Sequence, residues 1–254
     1  MLELRTEHLG DLIADIHRAS KGTYGTRRVT AELRLGHEII ANRKAVRRIM
    51  LRLGLQGLPI LKTKRRGPAT DGAAAGDLVL RQFATDAPDR LWLTDITEHP
   101  TVEGKLYVCS IKDLCSNRIV GYAIDERMTA ALAVSALRSA IARRRPVGTV
   151  IVHSDRGGQF RARSFRAVLT AAGLRGSMGR VAAAGDNAAM ESFHSLLQKN
   201  VLNRQRWRTR AELRYEVIIW IERTYNRRRR QRALGKLTPV EFELSLTDRE
   251  DLAA

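Results

Sequence analysis

The stretch Leu91-Trp-Leu-Thr-Asp95-Ile-Thr97 is a short run of apolar and β-branched residues that contains a single acid. Two similar runs follow at 106–112 and 119–124, and turn-forming residues separate the three. Runs of this length and composition, bounded by turns, are typical of β-strands. They predict an antiparallel three-stranded meander with Asp95 inside its first strand.

The pattern changes after residue 125 to helices alternating with a strand. A strand is predicted at 149–152, and helices are predicted at 130–142, 164–172, 187–201 and 210–224. Three consecutive strands followed by this alternation predict an α/β fold, with a mixed sheet flanked by helices.

The first 57 residues predict a small all-α module. Apolar residues recur at helical spacing, and Asn42 is a suitable N-cap for a third helix that carries Arg43, Arg47 and Arg48. Three short helices of which the last is basic fit a helix-turn-helix unit, whose last helix enters the DNA major groove. The alternative is a solvated basic face on a small helical bundle.

The remaining boundaries follow from composition. Residues 58–88 are rich in basic and small residues and predict a flexible linker, in which Lys64, Arg65 and Arg66 either follow DNA phosphates or belong to a tether. Residues 89–245 predict the α/β core with C-terminal helices, and 246–254 predict a tail.

The charge of the chain indicates its class of partner. Its 254 residues include 45 Lys and Arg against 27 Asp and Glu, a net charge of +18 with a pI near 11.0. Such a surface attracts polyanions, so nucleic acid is the expected partner and an anionic membrane surface is the alternative. No apolar run is long enough to span a bilayer and no signal peptide is visible, so we expect a cytoplasmic, nucleoid-associated protein.

Three acids in this basic chain require an explanation. Asp95 lies inside an apolar strand, Asp155 directly follows the strand at 149–152, and Glu191 lies one turn into a helix whose opposite face is apolar. Taken singly, each has an ordinary explanation: a salt bridge, a turn residue and a solvated helical charge. As a set of oxygen ligands they favour Mg²⁺ or Mn²⁺ over zinc.

Such a set suits phosphoryl transfer on DNA. Two ions about 4 Å apart stabilise the attacking and leaving oxygens of an in-line displacement. We therefore expect the three carboxyl groups to converge on one site and to hold two ions.

Six segments, in order along nearly the whole chain, carry a resemblance to a known family. They are Gly22–Leu33, Trp92–Thr97, Asp113–Tyr122, His153–Phe160, Gly185–Phe193, and Tyr225–Arg230 continued by Leu234–Pro239. With these motifs the chain resembles the IS3-family transposases of bacterial insertion sequences, within the superfamily of retroviral integrases. Between Asp155 and Glu191 lie 35 residues (191 − 155 − 1 = 35), as in the D,D(35)E motif of that family.

The resemblance implies an RNase H-like catalytic core with Asp95, Asp155 and Glu191 as catalytic and metal-binding residues. It also implies Mg²⁺-dependent cleavage of one strand at transposon ends, followed by strand transfer by the free 3′-hydroxyl. Double-stranded DNA, both transposon end and target, would be the substrate, bound by a homo-oligomer. The expected DNA contacts are Arg43, Arg47, Arg48, Lys64, Arg65, Arg66, Arg156, Asn187, Gln198, Lys199, Arg227, Arg228, Arg229 and Arg230.

The chain departs from the family in two respects. The family often has Lys or Arg seven residues after the Glu, where this chain has Gln198 followed by Lys199. The complete family transposase usually has a further N-terminal helix-turn-helix segment, often joined by frameshifting, so an upstream-frame protein is a possible partner. Two alternatives therefore stay open: a non-catalytic DNA-binding protein derived from a transposase, and an RNase H-like nuclease.

Overall fold

The computed structural model describes residues 2–58, 85–178 and 188–253. The core is built on a five-stranded sheet of order β3-β2-β1-β4-β5. Its strands are β1 Leu91–Thr101, β2 Gly104–Asp113, β3 Ile119–Asp125, β4 Ile151–Ser154 and β5 Arg175–Met178.

The first three strands form the predicted antiparallel meander. β1 pairs with β2 and β2 with β3, both antiparallel. Asp113 closes the connection between β2 and β3, because its Oδ1 accepts hydrogen bonds from the backbone N–H and the hydroxyl of Ser116. In the strand order β3-β2-β1-β4-β5, β1 is the central strand of the sheet.

β4 and β5 extend the sheet in parallel with β1. The crossovers contain α4 Ala130–Arg144, α5 Gly158–Arg161 and α6 Arg163–Ala171. β5 and α5 are absent from the sequence-based expectations. The short sequence Arg-Gly-Ser-Met of β5 has no strand pattern, and it is extended because it pairs with β4.

Helices cover both faces of the sheet. One face, with Trp92, Ile111 and Val152, packs against α4, α5 and α6. The opposite face, with Leu91, Leu93 and Val108, packs against α7 Ala188–Asn200 and α8 Arg210–Ile219. The mixed sheet flanked by helices is therefore confirmed.

The C-terminal half differs from the sequence expectation in two details. α8 continues as a π-helical segment, Trp220–Tyr225, and α9 runs from Pro239 to Ala253 through the region expected to be a tail. Trp207 and Tyr225 are buried in the core. Trp207 donates its indole N–H to the carbonyl of Leu202, 2.9 Å away.

The N-terminal part is a three-helix unit. Its helices are α1 Leu2–Ala19, α2 Thr26–Gly36 and α3 Arg43–Arg52, and Ile13, Val29, Leu33 and Val46 lie in its core. The Asn42 side chain accepts a hydrogen bond from the N–H of Lys44, so the predicted N-cap of α3 is confirmed.

The chain divides into two compact units. One contains residues 2–58 and, unexpectedly, Arg229–Thr238; the other contains residues 85–178, 188–228 and Pro239–Ala253. The ten residues from Arg229 therefore fold with the helical unit although the sequence places them inside the core. Among the described helices, none is long and apolar enough to cross a membrane. Most of the expected linker, 59–84, lies outside the described residues.

Candidate active site

The sheet register relates Asp95 to Asp155. β1 and β4 are parallel, and residues 91–93 of β1 pair with residues 151–153 of β4, an offset of 60 positions (151 − 91 = 60). Continued for two residues beyond the last observed pair, the same offset would lead from Asp95 to Asp155. β4 ends at Ser154, so Asp155 lies at the carboxyl end of a strand, where ligands of α/β proteins bind.

A tight turn follows Asp155. Its Oδ1 accepts the N–H of Gly157 at 2.9 Å, an arrangement common in Asp-initiated turns. A Cβ at Gly157 would come within 2.9 Å of this same oxygen and of the Gln159 Oε1. The Asp155-Arg-Gly-Gly sequence therefore keeps the carboxylate exposed at the strand end and starts α5 directly behind it.

Glu191 projects from the first turn of α7 and is exposed. The opposite face of α7 is fully buried through Met190, Phe193 and Leu197. Phe193 packs edge-on against Tyr225 with ring centroids 4.9 Å apart, and it also contacts Trp220. The helix that carries Glu191 is thus anchored by an aromatic cluster two residues away from the carboxylate.

Asp95 experiences the charge of the other two acids. Its side chain is 25% exposed, and burial raises its pKa to about 6. A hydrogen bond from the Ile96 N–H lowers the pKa, whereas the nearby Asp155 and Glu191 raise it further. Like charges within interaction range therefore surround a half-buried carboxylate, which is an arrangement that a cation would stabilise.

The carboxylates are near one another without forming a closed ligand sphere. Across residues 2–58, 85–178 and 188–253, no three His, Cys, Asp or Glu side chains approach closely enough to hold an ion together. The described residues therefore do not show the three carboxyl groups converging on one metal-sized site, and what relates them is the effect of Asp155 and Glu191 on the Asp95 pKa. The donor set itself, three carboxylates, suits Mg²⁺ or Mn²⁺.

Two further residues lie beside the acids. His194, one turn after Glu191, has its Nδ1 3.5 Å from Asp95 Oδ2. Burial and the positive charge of Lys112 lower its pKa to about 4, so it is neutral. Lys112 on β2 is buried and donates to the Ala189 carbonyl of α7 at 3.1 Å. The sequence analysis did not single out Lys112; the available signal was a lysine at the end of the apolar run 106–112.

The expected DNA contacts lie in different surroundings. Arg43, Arg47 and Arg48 are exposed on α3, and Arg227 and Arg228 are exposed after the π-helical segment. The half-buried side chains are Arg156, Gln198 and Lys199. Outside the described residues lie Lys64, Arg65, Arg66 and Asn187.

Arg229 and Arg230 do not fit the expectation of phosphate contacts. They are only 4% and 5% exposed. The Arg230 guanidinium pairs with Glu32 of α2, Nε to Oε2 2.7 Å, inside the helical unit. Since burial removes both from the surface that a phosphate can reach, the prediction for these two residues is corrected to a structural role.

Comparisons with known proteins agree with this architecture. An HTH-like domain family matches residues 4–64, an Integrase core domain family matches residues 85–184, and a second Integrase core domain family matches residues 172–239. Among solved structures, the simian T-cell lymphotropic virus intasome in complex with PP2A regulatory subunit B56 gamma aligns with a TM-score of 0.55 at 15% identity. That alignment covers 91% of this chain and 72% of that one, and it supports the fold.

Sequence relatives show the family. The chain is 38% identical over 231 residues to the insertion element IS600 uncharacterized 31 kDa protein of Shigella sonnei, covering 89% of this chain and 83% of that protein. It is 35% identical to the transposase for insertion sequence element IS629 of Shigella sonnei (98% and 84% covered). It is 36% identical to transposase InsF for insertion sequence IS3A of Escherichia coli strain K12 (93% and 82% covered). The chain therefore belongs to the IS3 family of insertion-sequence transposases, with an integrase core preceded by an HTH-like module.

Proposed function

We propose that this transposase cleaves one DNA strand at the transposon ends and joins the resulting 3′-hydroxyl to target DNA, with Asp95, Asp155 and Glu191 as the catalytic carboxylates. The proposal is supported by the parallel pairing of β1 with β4, which ends two residues before Asp95 and Asp155, and by the effect of Asp155 and Glu191 on the Asp95 pKa. The family membership provides the class of reaction, DNA transposition.

The same three residues would hold Mg²⁺ or Mn²⁺. The fit rests on their oxygen-only donors and on their uncompensated negative charge. Two such ions, when bound, neutralise charge on the attacking and leaving oxygens of the phosphoryl transfer. The chain contributes rigid placement: a central strand for Asp95, a strand end for Asp155, and a packed helix for Glu191.

DNA binding would use both units of the chain. In the helical unit, the exposed Arg43, Arg47 and Arg48 would face the duplex. In the core, Arg156, Lys199 and the exposed Arg227 and Arg228 are the remaining basic candidates, and Gln198 is the uncharged one. Lys64, Arg65, Arg66 and Asn187 keep this role as part of the proposal.

The active form on DNA is proposed to be a homo-oligomer, because the two ends of one element must be joined together. The related viral integrase was solved as an intasome. We expect the protein to act on nucleoid DNA in the cytoplasm. An upstream-frame partner has no support in the fold or in the relatives, and the proposal does not include one.

The test compares wild type with Asp155→Asn and Glu191→Gln on DNA that carries the transposon end. Both variants should bind the end but lose Mg²⁺-dependent nicking and strand transfer by at least 1,000-fold, about 4 kcal/mol of transition-state stabilisation. Glu98→Gln is the matched control, because Glu98 is an exposed acid on the same strand as Asp95.

Three results would contradict the proposal. Retained activity in the triad variants would remove these residues from catalysis. End-specific binding by wild type without nicking in Mg²⁺ or Mn²⁺ would favour a non-catalytic DNA-binding protein. Cleavage of an RNA–DNA hybrid without preference for the transposon end would favour a cellular nuclease.

A further inference from the structure

Lys112 is a buried cation that the proposed chemistry does not use. It lies near the end of β2, only 4% of it is exposed, and it is the only buried lysine among the described residues. A buried ammonium is costly unless its environment supplies a compensating interaction. Burial lowers the Lys112 pKa to about 8, and the charge of Asp113 opposes this shift only in part.

Lys112 lies on the face of the sheet that carries Asp95. Across the β1–β2 pair, Leu93 is opposite Lys112 and Asp95 is opposite Ser110. Directly opposed residues share a face, and so do Leu93 and Asp95, which are two residues apart on β1. Lys112 therefore lies on the same face as Asp95, diagonally across the β1–β2 pair. That face packs against α7.

The Lys112 ammonium reaches the beginning of α7. Its Nζ donates to the carbonyl of Ala189 at 3.1 Å, two residues before Glu191. The register between β2 and β3 also shifts between Ile111 and Lys112. Such irregularities locally increase twist and redirect side chains, and they are frequent beside active sites.

Stability alone does not explain a lysine at this position. The N-terminal end of a helix carries partial positive charge, which disfavours a cation nearby. An apolar side chain of similar length would avoid the desolvation of the ammonium and fill the same space. What the lysine adds is a directed hydrogen bond from the sheet to the turn that carries Glu191.

We propose that Lys112 is a positioning residue for the carboxylate site, fastening the first turn of α7 to β2 so that Glu191 is held in a fixed place relative to Asp95. The aromatic cluster around Phe193 anchors the middle of the helix, and Lys112 anchors its start. The inference rests on the proposed function, in which Glu191 and Asp95 act together.

The experiment replaces Lys112 by Met in the full chain and measures three quantities. The free energy of unfolding should stay equal or rise, because a buried charge is removed. The single-turnover rate of end cleavage in Mg²⁺ should fall at least tenfold, whereas the DNA concentration for half-maximal rate should be unchanged. Amide hydrogen exchange in the first turns of α7 should be at least tenfold faster, with the end of the helix beyond Leu197 unaffected.

Two further variants sharpen the result. Lys105→Met is the matched control, since Lys105 is on the same strand, exposed, and paired with Glu98; it should behave as wild type in all three measurements. Lys112→Arg keeps a donor and a positive charge, and it should retain more activity and more protection of α7 than Lys112→Met. It also keeps the inference testable if the Met variant does not fold.

The outcomes separate the two proposals. A cleavage rate for Lys112→Met within twofold of wild type, or a loss that follows a global loss of stability, would overturn the positioning role. Equal losses of cleavage rate in Lys112→Arg and Lys112→Met would also overturn the positioning role. If wild type binds ends but cleaves nothing, the proposed function fails, and hydrogen exchange in α7 alone decides whether Lys112 fastens the helix.

Discussion

Asp95 is the acid of the candidate site whose ionised form is destabilised by burial and by neighbouring negative charge. Asp155 and Glu191 are exposed, so water screens them, but the side chain of Asp95 is only 25% exposed and its pKa is raised by the charge of both. A carboxylate in this position favours its protonated form unless a cation is present. The folded protein therefore stores unfavourable energy at the position where the proposed chemistry needs a metal ligand.

This cost predicts a pH-dependent effect of Asp95→Asn. The pKa of Asp95 is raised to about 6 in the folded chain, against about 4 when unfolded. Below pH 4 both states are protonated and the substitution is neutral. Between pH 4 and 6 the unfolded wild type ionises at Asp95 while the folded wild type stays protonated, so the wild type loses stability, and the loss is complete above pH 6. The metal-free variant should thus be more stable than wild type by about 1–3 kcal/mol at pH 8.

Urea denaturation at pH 4 and pH 8 checks this expectation. Mg²⁺ should reverse the order at pH 8, because it stabilises the wild type and has lost a ligand in the variant. An equal gain at both pH values would show that the gain has a cause other than ionisation of Asp95.

Among the elements, α3 carries the basic surface of the helical unit on one side and its core on the other. Val46, Ile49 and Met50 are buried, and Arg47 and Arg48 are exposed. The separation follows from helical periodicity, since residues three and four apart share a face. The exposed arginines are therefore presented on a helix whose orientation within the unit is fixed by packing.

Removing this surface should weaken DNA binding through its electrostatic part. The double variant Arg47→Ala, Arg48→Ala should lower affinity for end DNA and reduce the slope of log affinity against log salt by about 2, one per phosphate contact. Fluorescence anisotropy over a salt series measures both. Arg18→Ala is the control, since this exposed α1 residue pairs with Asp15. If the slope of log affinity against log salt is unchanged, the arginines of α3 do not contact DNA phosphates and form a solvated surface.

At the scale of the whole molecule, the chain crosses between its two units near its C-terminal end. Arg229–Thr238 belongs to the helical unit, and Leu234 and Thr238 are buried there. Arg230 binds Glu32 through its guanidinium and donates its N–H to the Tyr24 hydroxyl at 3.3 Å. The helical unit is therefore assembled from both ends of the sequence.

The pair formed by Arg230 and Glu32 predicts an asymmetric effect of substitution. Glu32→Ala leaves a buried guanidinium without this partner and should lower the free energy of unfolding by about 3 kcal/mol. Arg230→Met should cost less, because the remaining carboxylate is 24% exposed and can be hydrated. Chemical denaturation of the full-length variants gives both values. Equal losses, or a larger loss in Arg230→Met, would contradict the structural role of the pair.

Local pattern was sufficient for much of this fold. The meander around Asp95, the Asn42 cap and the buried face of α7 all depend on residues close in sequence, and all three were predicted. β5 was missed because its four residues are extended only through pairing with β4. Arg229 and Arg230 were misassigned because their partners in the helical unit are distant: Arg230 is 198 residues from Glu32.

The sequence by itself predicted the α/β core and the HTH-like unit, since periodicity and turn residues are local properties. It also singled out the three acids as candidates, through their local contexts and the family motif. Tertiary structure alone decided three other features. They are the parallel pairing of β1 with β4, the burial of Lys112 against the first turn of α7, and the return of Arg229–Thr238 to the helical unit. Each depends on pairing or packing between segments far apart in the chain, and the free energy of such contacts exists only once both segments are in place.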